Sequence, residues 1–148
     1  MLKTIPSSFT PDLLRLMMAM GHGEELLLSD GNFPALTTGS PSIPRIYIPV
    51  EDIASLLKDI LRFFPLDVTV ETPLAVMESA RESGAYEQYR RVVKETQTGA
   101  ATGTLKIGTL ERFEFYRRAA SAAGMIITAS VVKGGNILLK KGVVRDSG

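Results

Sequence analysis

The sequence contains one histidine, His22, which lies between two glycines in the stretch MGHG (residues 20–23). Because neither neighbour carries a side chain, the imidazole is open to close approach by another group. An imidazole changes its charge near neutral pH, which suits it to proton transfer there. Two interpretations stay open: His22 is a general acid or base, or it only follows the first helix, whose dipole favours a protonated imidazole.

A carboxylate, Asp30, follows the first predicted strand in the stretch SDGNFP (residues 29–34). Ligands of open α/β sheets bind outside the carboxyl ends of the strands, so Asp30 is well placed to hold hydroxyl groups. The alternative is an Asx turn, in which Asp30 hydrogen-bonds only its own backbone. Since a strand rises about 3.3 Å per residue, His22 and Asp30 lie at opposite ends unless the strand is short or a neighbouring subunit brings them together.

Arg112 and Tyr116 are four residues apart in the stretch RFEFYR (residues 112–117) and so share one face of a predicted helix. The pair places a planar set of N–H donors beside a phenol, which could hold a polar ligand. The alternative is that Phe113 and Tyr116 belong to the core and that Arg112 pairs with a surface carboxylate.

Two glycines and an amide, Gly134, Gly135 and Asn136, precede the run ILLKKG near the end of the chain. Exposed glycine N–H groups and an asparagine amide can bind sugar hydroxyls. Two glycines in a turn between strands also need no ligand to explain them, because they permit positive φ.

The composition excludes several classes of protein. The 148 residues, 45% of them hydrophobic, predict one domain covering residues 1–148. The formal net charge is +1 and the positive residues are scattered, so we expect no nucleic-acid partner. With no cysteine, one histidine, and neither a dinucleotide fingerprint nor a phosphate-binding loop, we expect no metal and no cofactor.

The apolar run LLRLMMAM (residues 13–20) contains Arg15 and follows Pro11 and Asp12, unlike the core of a secretory signal. No run approaches the roughly 18 apolar residues that a membrane span requires. We therefore expect no membrane partner and a cytoplasmic location, which the lack of cysteine also favours.

Local signals predict alternating helices and strands. Thr10-Pro11-Asp12 has the pattern of a helix start. Three consecutive leucines at 26–28 are typical of a central strand covered on both faces. Beyond the Gly- and Pro-rich loop 31–44, we expect an edge strand at 46–50, a helix at 51–64, a strand at 68–78 interrupted near Pro73, a helix at 84–97, loop or short strand at 98–109, and a helix from 110 to Gly124.

Two β-rich runs, residues 125–131 and 136–144, end the sequence and are joined by a glycine-containing turn. This pattern predicts a terminal β-hairpin. Strands interleaved with helices indicate an α/β layered domain.

Taken together and in order, three stretches resemble the RbsD/FucU family of sugar mutarotases, in particular its L-fucose mutarotase branch. They are TPDLLRLMMAMGHGEELLLSDGNFPA, RFEFYRRA and GNILLKKG. The resemblance implies a mixed, mainly parallel sheet covered by helices, and ring-like homo-oligomers, typically decamers of two pentamers. It also implies interconversion of the anomers of a free monosaccharide, a reaction that needs two proton carriers and no cofactor.

The resemblance also assigns roles to residues. His22 matches the family's proton donor, and Tyr116 is a candidate proton carrier or hydroxyl contact. Asp30 and Arg112 match substrate-binding residues. Gly134, Gly135 and Asn136 stand where some fucose mutarotases have Tyr-Gly-Asn, so a ring that could contact the sugar is missing at Gly134; Asn32 and Leu36 stand where some members have histidines.

Two other functions fit the same sequence. One is a sugar-binding or transport-associated protein with little turnover, which the missing ring at Gly134 would permit. The other is a D-ribose pyranase-type isomerase, which uses the same ring-opening chemistry.

Overall fold

A six-stranded sheet forms the centre of the protein in the computed structural model, which describes residues 1–97 and 105–146. The expected loop or short strand at 98–109 therefore lies partly outside the described residues. The order of the strands across the sheet is β2-β5-β1-β6-β3-β4. The strands are β1 Glu25–Ser29, β2 Arg45–Tyr47, β3 Leu74–Met77, β4 Ile107–Leu110, β5 Gly124–Ile127 and β6 Ile137–Lys140.

The sheet is mixed and mainly parallel. Strand β5 is parallel to both β1 and β2, and β3 is parallel to β4. Among the strands of the described residues, β6 alone runs antiparallel to both of its neighbours, β1 and β3. The expected α/β layered fold is confirmed.

The predicted terminal β-hairpin is wrong, because β1 lies between β5 and β6. The loop 128–136 passes over the carboxyl end of β1 instead of turning back on β5. Hydrogen bonds hold it there, from the Thr128 N–H to the Ser29 carbonyl and from the Gly31 N–H to the Ser130 carbonyl. This position gives the fully buried leucines of β1 a paired strand on each side.

Helices cover both faces of the sheet. Because strand side chains alternate, Leu26 and Leu28 join one hydrophobic cluster and Leu27 joins the other. The larger cluster includes buried residues of four helices, and the smaller contains Phe115 and Ala119 of the last helix. The helices are α1 Pro11–Ala19, α2 Ile53–Leu61, α3 Ser79–Glu82, α4 Ala85–Thr96 and α5 Arg112–Ala119.

Polar side chains cap the first turns of α1, α2 and α5. The Thr10 hydroxyl accepts a hydrogen bond from the Leu13 N–H, with Pro11 at the first helical position. The Glu111 carboxylate accepts hydrogen bonds from the N–H groups of Phe113 and Glu114 at the start of α5. The Glu111 cap fixes the first turn of α5, which carries Arg112.

Two boundaries differ most from the sequence predictions. Helix α5 ends at Ala119 and not at Gly124, which is the first residue of β5. A Cβ atom on Gly124 would overlap the Leu16 side chain, so this glycine serves close packing and not a helix stop. Strand β3 begins only after Pro73, and residues 68–71 form a turn and bend. Among the described residues, no helix is long and apolar enough to cross a membrane.

Candidate active site

A cavity of about 570 Å³ opens at the carboxyl edge of the sheet, where β1, β3 and β4 end. Four segments line it, because each follows a strand that ends at this edge. They contribute Asp30, Asn32 and Phe33 after β1; Met77, Glu78, Ser79 and Glu82 at the end of β3 and in α3; Arg112 and Tyr116 in α5; and Val131, Lys133, Gly134 and Asn136 in the loop before β6.

Asp30 and Asn136 form a paired contact at the base of this cavity. The Asp30 N–H donates to Asn136 Oδ1 at 2.8 Å, and Asn136 Nδ2 donates to Asp30 Oδ2 at 3.1 Å. Asp30 Oδ1 also accepts from the Asn32 N–H at 2.9 Å, so the Asx turn considered above is present as well. Both residues are buried. The structure thus brings together two of the predicted sugar-binding residues.

Burial raises the pKa of the Asp30 carboxyl above its ordinary value. Hydrogen bonds from Asn32, Asn136 and Phe33 oppose this effect, because they stabilise the charged form. Asp30 therefore accepts a proton at a higher pH than an exposed aspartate does.

Arg112 and Tyr116 lie together on the cavity wall, as their spacing predicted. Arg112 Nε is 3.4 Å from the Tyr116 hydroxyl, and the guanidinium lies 5.5 Å from the centre of the tyrosine ring. Within the described parts of the chain, no carboxylate is close enough to Arg112 for an ion pair. The guanidinium is therefore available to a polar ligand.

The alternative that placed Phe113 in the core is wrong. Phe113 is 66% exposed, whereas the buried residues of α5 are Phe115 and Ala119. Tyr116 is half-buried and packs edge-on against Phe33 at 5.4 Å between ring centres.

Different neighbours leave no room for a side chain at Gly134 and at Gly135 of the loop. Gly134 has a φ of 66°, and a Cβ atom there would overlap the hydroxyl of Ser79. Gly135 accepts a hydrogen bond at its carbonyl from the Tyr89 hydroxyl. Close approach to neighbours thus explains both glycines, and Ser79 fills the space that a side chain at 134 would take.

His22 lies outside this cavity, near the opposite end of β1. The five residues of β1 span roughly 16 Å, which separates His22 from Asp30 within one chain. Its Nε2 atom is 3.2 Å from Asp67 Oδ2, and its side chain is 49% exposed. The geometric conflict foreseen from the sequence is therefore present.

Asp67 is a buried residue that sequence reasoning missed. Its Oδ1 atom accepts hydrogen bonds from the hydroxyl and the N–H of Thr69, at 2.6 and 3.0 Å. These bonds, the Thr69 hydroxyl first, and the nearby His22 lower the pKa of the Asp67 carboxyl. The spacing Asp-x-Thr predicts such a local turn, but nothing local in the sequence indicates the contact with His22.

Lys141 anchors the segment that carries His22. Its ammonium group donates to the carbonyls of Met17 and Met20 at 2.6 and 2.5 Å, at the end of α1. The Gly23 N–H donates to the Lys141 carbonyl at 2.8 Å. Both sides of His22 are thus tied to the residue that follows β6.

The cavity and the His22–Asp67 pair offer hydrogen bonding and proton transfer. No group of three or more His, Asp or Glu side chains within residues 1–97 and 105–146 is arranged to hold a metal ion.

Comparisons with known proteins agree on one family. A sequence model of the RbsD / FucU transport protein family matches residues 3–144. An L-fucose mutarotase of Actinobacillus pleuropneumoniae is 40% identical over 147 residues, which is 97% of each chain. The fucose mutarotase of Homo sapiens is 37% identical over 150 residues, covering 97% of this chain and 94% of the relative. The crystal structure of the fucose mutarotase in complex with L-fucose from Streptococcus pneumoniae has a TM-score of 0.84 and 33% identity, covering 97% of this chain and 100% of the other.

Proposed function

The chain belongs to the RbsD/FucU family, and we propose that it interconverts the α and β anomers of a free monosaccharide, with L-fucose as its substrate. The observation that carries this proposal is that the buried Asp30–Asn136 pair and the side chain of Arg112 line one cavity, whose size suits a small polar molecule. Relatives that cover almost the whole chain are fucose mutarotases.

Mutarotation requires a proton to leave the anomeric hydroxyl and another to reach the ring oxygen. The ring then opens, the aldehyde rotates, and closure on its other face gives the second anomer. In this proposal His22 is one proton carrier and Tyr116 the other. Asp30, Arg112 and Asn136 hold sugar hydroxyls, together with the backbone of Gly134 and Gly135.

A second subunit supplies His22 to the cavity of its neighbour in the proposed assembly. This arrangement answers the separation of His22 from Asp30 within one chain. Exposed apolar side chains beside the cavity support it, since Phe113 is 66% and Val131 82% exposed. Large apolar side chains left exposed in a single chain are typical of subunit interfaces. We propose a homo-oligomer, with a decamer of two pentameric rings as the form to test, acting in the cytoplasm.

Saturation-transfer NMR between the anomers of L-fucose, D-ribose and D-galactose tests the function. Wild-type protein should exchange L-fucose anomers faster than buffer, and His22→Ala should abolish most of the gain. If wild-type protein exchanges none of these sugars faster than buffer, mutarotase activity is excluded. Exchange between ring forms of D-ribose, without anomer exchange of L-fucose, would instead indicate pyranase activity.

A sugar-binding protein with little turnover is the second candidate. The observation that favours it is Gly134, where the chain has no side chain to contact the sugar and where Ser79 fills the adjacent space. Calorimetry that shows micromolar binding of L-fucose by a protein that does not accelerate anomer exchange would support this candidate.

A further inference from the structure

Tyr89 connects helix α4 to the loop that forms one wall of the cavity. Its side chain is 2% exposed, and its hydroxyl donates a hydrogen bond to the carbonyl of Gly135. Tyr89 itself does not line the cavity. Apart from the hydroxyl, the residue belongs to the large hydrophobic cluster between the sheet and the helices.

The Gly135 carbonyl that accepts this hydrogen bond belongs to the peptide that joins Gly135 to Asn136. The Asn136 side chain makes both contacts with Asp30, one as acceptor from the Asp30 N–H and one as donor to its carboxylate. A continuous path of hydrogen bonds and backbone therefore runs from Tyr89 through Gly135 and Asn136 to Asp30. Rotation of the peptide between 135 and 136 would disturb the paired contact at the base of the cavity.

Gly135 has no side chain, and this allows its close contact with the Tyr89 hydroxyl. A Cβ atom on Gly135 would lie 3.4 Å from the Tyr89 hydroxyl and 3.1 Å from the Val132 carbonyl oxygen. The Gly135 N–H donates to that same Val132 carbonyl at 3.0 Å, which closes the turn. The absence of a side chain lets the loop approach the phenol and the turn at the same time.

The phenol is a stable donor. Burial, followed by the negative charges of Asp30 and Asp52, raises the pKa of Tyr89 well above its ordinary value. The hydroxyl therefore keeps its proton at every pH at which sugar exchange is practical to measure. A neutral donor that is fully buried also loses little to competition with water.

We propose that Tyr89 is a positioning residue for sugar binding, which holds the Gly135 carbonyl so that Asn136 and Asp30 present their free polar atoms to a monosaccharide. This inference rests on the proposed function, because it assigns the ligand of the paired contact. Tyr89 touches neither the sugar nor the reacting atoms. Its removal should weaken binding of substrate and transition state alike.

Tyr89→Phe tests this role with kinetics and calorimetry on L-fucose. The variant keeps the buried ring and removes one hydrogen bond, so KM and the calorimetric Kd should rise about threefold to tenfold. The kcat for anomer exchange should stay within about twofold, since equal loss in ground and transition states leaves kcat unchanged. Tyr86→Phe is the matched control: it makes the same change in the same helix, and among residues 1–97 and 105–146 the Tyr86 hydroxyl has no hydrogen-bond partner.

The outcomes separate the inference from the proposed function. An unchanged KM and Kd in folded Tyr89→Phe, or a fall in kcat alone, overturns the positioning role. If Tyr89→Phe does not fold, Gly135→Ala takes its place, because the added methyl would lie 3.1 Å from the Val132 carbonyl oxygen and so displace the Gly135 carbonyl from the Tyr89 hydroxyl; Kd should rise by a similar factor. Wild-type protein that binds L-fucose without exchanging its anomers overturns the mutarotase function only, and the Kd ratio still decides the role of Tyr89. Wild-type protein that does neither overturns both.

Discussion

The Nε2 atom of His22 lies 3.2 Å from Oδ2 of Asp67, although the two residues come from separate segments of the chain. Their exposure is unequal: the His22 side chain is 49% exposed, and that of Asp67 is 5% exposed. Thr69 fixes the carboxylate from the other side through its hydroxyl and its N–H. A rigid buried acid thus orients an accessible imidazole and leaves its second nitrogen, Nδ1, available for proton transfer.

Asp67→Asn should reduce anomer exchange about 10-fold to 100-fold, because a hydrogen bond to a charged group contributes roughly 1.5–3 kcal/mol. Rates of anomer exchange from NMR check this effect.

Asp59→Asn is the control for Asp67→Asn. Asp59 lies in α2, and its only ion pair among the described residues is a 3.9 Å contact with Arg62. This substitution should leave the rate of anomer exchange unaltered. Equal effects of the two substitutions would rule out a specific role for Asp67.

Asp30→Asn should abolish most anomer exchange and leave the fold intact, because an amide has the shape of a carboxyl but cannot hold a negative charge. Burial raises the pKa of Asp30, so the folded state holds a proton at a pH where the unfolded chain has lost it. Wild-type stability therefore falls as pH rises through the interval above the ordinary value of 3.8. The variant lacks this loss, so its stability relative to wild type should increase between pH 4 and pH 7.

Urea unfolding at several pH values measures that difference. A second comparison with Asp12→Asn, an acidic residue in the first turn of α1, shows how much any aspartate substitution contributes. A stability difference for Asp30→Asn that is independent of pH would contradict the role of burial at Asp30.

Local patterns predicted the parts of the fold that depend on neighbours in the sequence. Thr10 and Pro11 begin a helix because the Thr10 hydroxyl caps the first turn and the proline ring fits the first helical position. The three consecutive leucines of β1 predicted a strand covered on both faces, and all three are fully buried. The hairpin prediction failed because two strands joined by a glycine-containing turn have the same sequence pattern in two cases. The strands can pair with each other, or the loop between them can cross over β1. That difference depends on the bonds of Thr128 and Ser130 with residues 29–31, far away in the chain.

The same limit applies to the candidate site. Asp30, Arg112 and Asn136 were predicted from motifs, and the structure places all three at one cavity. Asp67 and Tyr89 were missed, since each acts through a contact with a distant segment. A residue whose role depends on such a contact leaves no local pattern in the sequence.

Gly134→Ala should destabilise the protein by about 2 kcal/mol or more, because a non-glycine residue at positive φ costs roughly 1–2 kcal/mol and the new methyl also overlaps Ser79. Gly84→Ala is the matched control, since Gly84 has a φ of 81° but no atom within 4 Å of the added methyl. It should show the backbone cost alone. Urea unfolding of both variants, and of Gly134→Ala combined with Ser79→Gly, measures the overlap, which the double variant should relieve. Equal losses for the two single variants would show that Ser79 yields without cost.

Mixed oligomers test whether neighbouring chains share one site. His22→Ala lacks the imidazole, and Arg112→Ala lacks the guanidinium at the cavity, so each variant alone should be nearly inactive. If His22 of one subunit serves the cavity of the next, a mixed ring contains some sites with both intact residues. Random assembly of equal amounts should restore about a quarter of wild-type exchange, because each of the two positions is intact in half of the chains. The measurement is NMR exchange on co-expressed chains that carry different tags and are purified by both.

The control is a second mixed oligomer, made of His22→Ala chains and Asp67→Asn chains. Both substitutions damage the same half of the site, so no neighbour can supply an intact His22–Asp67 pair to any cavity. This mixture should show no more than the average of its two parent variants. Recovery only with Arg112→Ala supports a site built from two chains, whereas no recovery in either mixture would refute the shared site.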